Sequence, residues 1–94
     1  MIGATILPYT GSDYYKPGEA NERDRLEINA WIRTAGVFDA IADFDAATRD
    51  PARPERMRKE HDIGDGLHPS PAGFRAMAEA VPLAALASCA RRAR

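Results

Sequence analysis

Both histidines of the chain lie in one short segment, His61-Asp62-Ile63-Gly64-Asp65-Gly66-Leu67-His68-Pro69. Asp65 and His68 stand three residues apart, between a flexible glycine pair and a proline. In a single turn that spacing brings a carboxylate beside an imidazole. A carboxylate bonded to one ring N–H fixes the tautomer and leaves the other nitrogen as a base. These are two of the three groups that an acyl-transfer triad needs. The same residues admit two other readings. His68 can serve as a plain anchor for the loop ahead of the next helix, because Asp/His pairs are common on loops. His61, Asp62, Asp65 and His68 also form a two-His, two-carboxylate set of the kind that binds metals.

A nucleophile is harder to find. Gly11-Ser12-Asp13 offers a serine, but covalent catalysis needs a nucleophile aimed at its base, not merely a hydroxyl. Ser70 precedes Pro71 and reads as a helix cap. Cys89 is the only cysteine, and a lone free cysteine is usually a small buried apolar residue. Asn29 falls mid-helix, a poor place for an oxyanion donor. Asp43 and Asp45 are candidate carboxylates, but Asp at an element end usually accepts backbone N–H bonds. Tyr14 and Tyr15 either line a cleft or cover their loop.

The elements that position these residues follow from apolar patterning. Ile2–Leu7 is a short apolar, β-branched run stopped by Pro8, which predicts a strand buried on both faces. Residues 8–18 carry Pro8, Gly11, Pro17 and Gly18 and predict a loop. From Glu19 the period becomes helical, with Ile28, Trp31, Ile32 and Ala35 forming one stripe and Gly36 as the residue beyond the C-cap. Val37–Phe44 is the second predicted strand. Residues 46–67 predict a long irregular connection, in which Arg49–Lys59 is a solvated basic loop. A second helix follows Ser70-Pro71, with Phe74, Met77, Ala78 and Val81 as its stripe and Pro82 as its interruption. Residues 83–90 predict a further turn or two. Strand–helix–strand with apolar strands argues for parallel pairing. Two parallel strands and two or three helices read as one end of a doubly wound sheet.

Asp65-Gly66-Leu67-His68-Pro69, followed by Ser70-Pro71-Ala72-Gly73-Phe74, resembles the last signature block of the SGNH, or GDSL-type, hydrolases. Gly3-Ala4-Thr5-Ile6-Leu7-Pro8 resembles that family's late strand, and Asn29-Ala30-Trp31-Ile32-Arg33 the helix after it. Phe38-Asp39-Ala40-Ile41-Ala42-Asp43-Phe44-Asp45 resembles its final strand. The blocks run in family order over about residues 2–83. They look closest to bacterial members described as lipase- or esterase-like, some associated with polysaccharide deacetylation. The resemblance implies a three-layer α/β/α sandwich with a flavodoxin-like parallel sheet and the site at the carboxyl ends of its strands. It implies His68 as general base and then acid, Asp65 as its orienting partner, and no metal or other cofactor. The family's Gly-Asp-Ser block and its oxyanion-hole Gly and Asn have no counterpart here.

The expectation is therefore a partial domain over residues 1–94, with 84–94 as a frayed basic tail. It would be the C-terminal portion of a serine ester hydrolase, contributing the acid–base pair and inactive by itself. The full enzyme would act on an ester of a lipid, an aryl alcohol or an acetylated carbohydrate. The alternative is a non-catalytic remnant that self-associates or binds a partner through an exposed strand. Composition fits a partial domain. Of 94 residues, eighteen are alanine and only twenty are Ile, Leu, Val, Phe, Met or Trp. Thirteen basic residues balance fourteen acidic ones, with no dominant basic face for nucleic acid. No apolar run approaches the roughly 20 residues that span a bilayer. Residues 1–10 show neither a basic n-region nor a long h-region. Related full-length enzymes are often secreted, but a signal peptide would precede the absent blocks, so the compartment is not legible.

Overall fold

The computed structural model describes the backbone of residues 1–92 and side chains through Ala87. Two short apolar segments pair in parallel, β1 (Ile2–Ala4) and β2 (Ala40–Ala42), in the register Ile2↔Ala40, Gly3↔Ile41 and Ala4↔Ala42. Both are shorter than the predicted strands, because side chains take over the backbone groups at their ends. Thr5 N–H still reaches the Ala42 carbonyl at 3.2 Å. Ile6 is then held by the Asn29 side chain, which accepts its N–H at 2.8 Å and donates to its carbonyl at 2.9 Å. Pro8 ends the extended run. After Ala42, Asp43 caps the next helix and stops β2.

The helix α1 (Glu19–Thr34) crosses from β1 to β2, as a parallel pair requires. Its start is fastened by Gly18 N–H donating to Asn21 Oδ1 at 2.9 Å. Its end follows the predicted form, with Gly36 in the left-handed region at φ 72°. The face it buries shares only Ile32 with the predicted stripe. Arg25, Asn29 and Ile32 are buried, whereas Ile28, Trp31 and Ala35 are exposed. The three exposed stripe residues lie about 90° around the helix from the buried face, at about 100° per residue. Trp31 finds one aromatic neighbour in Phe38, edge to face at 6.0 Å, and the Phe38 ring lies against Gly3 of β1.

The segment predicted to be irregular is partly ordered. It opens with α2 (Phe44–Thr48), capped by Asp43, which accepts Ala46 N–H at 3.1 Å. Arg49 and Met57 form an antiparallel bridge, Met57 is buried, and a short 3₁₀ turn spans Lys59–His61. The basic stretch is thus fastened on both sides and is not merely solvated: Thr10 N–H donates to Glu55 O, and Arg58 N–H to Thr48 O. Ser70 caps α3 (Pro71–Glu79) as predicted, accepting Gly73 N–H at 3.1 Å, with Pro71 in the first turn. α3 stops before Val81, so the predicted stripe is cut short, and Phe74 is exposed. After Pro82 comes α4 (Leu83–Arg92), longer than the turn or two expected. The chain is a small α/β unit with two parallel strands and four helices among the described residues. The side chain of Cys89 lies outside them.

Candidate active site

Residues 62–69 form a closed loop whose own side chains supply its hydrogen bonds. Asp62 and Pro69 bridge its base, and Ile63 N–H donates to His68 O at 3.1 Å. Asp62 Oδ1 accepts N–H from Gly64 at 2.8 Å and from Gly66 at 3.1 Å. Asp65 Oδ1 accepts N–H from Leu67 at 2.9 Å and from His68 at 2.8 Å. These are the local side-chain bonds that favour Asp in turns. They leave Asp65 Oδ2 to meet His68 Nδ1 at 2.5 Å. The His68 N–H, the imidazole and the Leu67 N–H hold the Asp65 carboxyl down at about 2, below the usual carboxylate range. An ionised carboxylate only accepts, so Nδ1 carries a proton, and in the neutral imidazole Nε2 then keeps its lone pair. The His68 side chain is 65% exposed, and Nε2 has no partner among the described residues.

A second loop is fitted against the first. Gly66 sits at φ 70°, and a Cβ there would overlap the Gly11 carbonyl. Only glycine permits both the left-handed backbone and the close approach. Loop 8–18, which follows β1, is thereby pressed against the Asp65–His68 loop. Together they wall a cleft of about 620 Å³ lined by Ser12, Asp13, Tyr14, Tyr15, Asp65 and His68, among others. Sequence reasoning left the tyrosines open between cleft and cover; they line the cleft. The Gly11–Gly66 contact had no sequence signal, since the two glycines are far apart in the chain.

Ser12 borders this cleft but is buried, and its Oγ accepts Tyr15 N–H at 3.1 Å. It makes no bond to His68. Ser70 Oγ donates to Glu60 O at 2.6 Å while capping α3. Asn29 spends its amide on Ile6. His61 Nδ1 faces the Thr48 carbonyl at 3.4 Å, and Asp62 holds the glycines, so the four-residue metal set is not assembled. No three His, Cys, Asp or Glu side chains among the described residues come together in a way that could hold a metal ion.

Behind the loops lies a buried ionic cluster. Asp45, 1% exposed, receives Arg25 Nη1 at 2.6 Å, Arg33 Nη2 at 2.8 Å and Arg49 Nη1 at 3.0 Å. Arg25 also binds both Glu22 oxygens and the carbonyls of Ile6 and Pro54. Asp43 takes a bidentate Arg33 and the Thr5 hydroxyl, and Arg33 holds its carboxyl well below the ordinary range. Asp43 therefore does cap a backbone as expected. Asp45 instead serves as a charge centre, and its own N–H donates to Thr5 Oγ1 at 2.9 Å. Three arginines face three carboxylates, and no buried side-chain nitrogen or oxygen among the described residues lacks a partner. The cluster ties α1 to α2 and to the end of β1, which sets where loop 8–18 begins.

Neither a family model nor a curated protein matches the chain. No helix among the described residues is long and apolar enough to cross a membrane.

Proposed function

We propose that the chain supplies the Asp–His half of an SGNH-type serine ester hydrolase site, with the nucleophile provided from outside these residues. The observation that carries this reading is the Asp65–His68 pair, 2.5 Å apart, with Asp65 fixed by two N–H donors and His68 lining a cleft. That arrangement stores a base that can take a serine proton and return it to the leaving alcohol. Support also comes from the ordered motifs around it and from the parallel strand–helix–strand that precedes it. In such a hydrolase the serine attacks the ester carbonyl, the alcohol leaves with the proton from His68, and water then frees the acyl group by the reverse path. No metal enters the scheme.

The test is to express the chain extended upstream through its own reading frame and to assay an activated aryl ester. Hydrolysis by the extended chain is expected, falling by roughly 10⁴-fold or more in His68→Ala. Hydrolysis unaffected by His68→Ala would overturn the reading, as would an upstream frame with no Gly-Asp-Ser block.

A second reading is favoured by one observation. Among the described residues β1 pairs with β2 alone, and Ile28, Trp31 and Val37 are exposed. An open strand edge on a molecule that also exposes apolar side chains invites pairing. In this reading the chain is a non-catalytic piece that self-associates or takes a partner along β1.

A further inference from the structure

Tyr14 and Tyr15 carry more order than exposed residues need. Their rings meet edge to face at 4.8 Å and are 82% and 62% exposed. The turn beneath them is closed three times over. Ser12 N–H donates to Tyr9 O at 2.9 Å, Tyr15 N–H to Ser12 Oγ at 3.1 Å, and Lys16 N–H to Ser12 O at 3.1 Å. Lys16 ends the turn at φ 48°, a left-handed conformation that a lysine adopts only at a cost. Backbone strain of this kind collects at ligand clamps. The Gly11–Gly66 contact then fixes this turn against the loop that carries His68. The aromatic pair is thus set at a defined place beside the base.

We infer that Tyr14 and Tyr15, with Asp13, form the leaving-group subsite and take the sugar ring of an esterified carbohydrate. The inference rests on the hydrolase reading, because a base that protonates the leaving alcohol must have that alcohol on its own side of the cleft. Aromatic faces are electron-rich and attract the C–H groups of a sugar ring as they do the positive edges of other rings. Asp13 lines the same cleft and has no hydrogen-bond or ion-pair partner among the described residues. Its carboxylate matches a ligand rich in hydroxyl donors. An alkyl alcohol, whose single oxygen is the ester oxygen, brings that carboxylate no further donor. A simple aryl alcohol would stack on the rings but likewise bring Asp13 no further donor.

The experiment is an NMR titration of the chain with methyl β-glucopyranoside, phenol and 1-hexanol. The glycoside is expected to give saturable shifts at the amides of Asp13–Lys16 and at the His68 ring, and to bind more tightly than phenol or hexanol. Binding should weaken about tenfold in Tyr14→Ala/Tyr15→Ala, should weaken in Asp13→Ala, and should survive in Tyr14→Phe/Tyr15→Phe and in His68→Ala. Absence of saturation, tighter binding of phenol or hexanol, or glycoside shifts indifferent to the alanine pair would overturn the subsite. Loss of glycoside binding with ester hydrolysis intact in the extended chain overturns the subsite alone. Glycoside binding without hydrolysis overturns the hydrolase reading and, with it, the leaving-group role.

Discussion

At the scale of the residue, the site depends on which nitrogen of His68 holds a proton. A neutral histidine side chain in water favours the proton on Nε2, the wrong nitrogen for a base that faces substrate. Asp65 reverses this by accepting from Nδ1, and Leu67 and His68 N–H groups keep Asp65 itself in place. Because the folded Asp65 is depressed to about 2, the order it imposes is present above the unfolded carboxylate value of about 4 and is lost as pH falls through about 2. The His68 backbone amide shift should titrate in that acid window and lose the titration in Asp65→Ala. Gly66→Ala should disturb the same pair from the backbone side, costing about 1–3 kcal/mol in chemical denaturation and returning the His68 proton to Nε2. The Asp-x-x-His spacing made this dyad legible, because a three-residue offset in a turn is a local matter. The need for glycine at 66 was not legible, because the Gly11 carbonyl it meets comes from a distant loop.

At the scale of the element, α1 shows where patterning misleads. A 3.6-residue period finds an apolar stripe but not the surface that the stripe faces. Here the buried face carries Arg25 and Asn29, at the same helical spacing that would otherwise read as a solvated side. Their partners, Asp45 and the Ile6 backbone, come from other elements, so only the three-dimensional structure reveals them. A buried ion pair adds little net stability over an apolar pair of the same shape, but removing one member strands the other. Asp45→Ala should therefore destabilise the chain by about 3–5 kcal/mol in urea unfolding, because Arg25 is left buried without its main partner. A loss under about 1 kcal/mol, as for surface pairs, would contradict the burial described for this cluster. Where the signal was local, the sequence was a good guide. Ser70 caps α3, Gly36 ends α1 and the two strands pair in parallel. The missed α2 had such a signal too, in Asp43 standing before Phe44-Asp45-Ala46-Ala47-Thr48.

At the scale of the whole molecule, a two-stranded sheet is small for the surface it must organise, since three or more strands are usually needed for independent stability. Burial of charged and polar groups in place of apolar ones, together with exposed Trp31 and Val37, fits a chain that shares its sheet. If β1 pairs with a second copy, sedimentation should show dimers or larger species, and a monodisperse, cooperatively melting monomer would contradict it. The proposed Asp65–His68 acid–base pair takes its nucleophile from outside these residues. The most direct measurement is the attachment site of a fluorophosphonate ester on the upstream-extended chain, read by peptide mass spectrometry. One adduct is expected, on the serine of a Gly-Asp-Ser block outside residues 1–94, with its yield collapsing in His68→Ala. An adduct on Ser12, or labelling indifferent to His68, would contradict it.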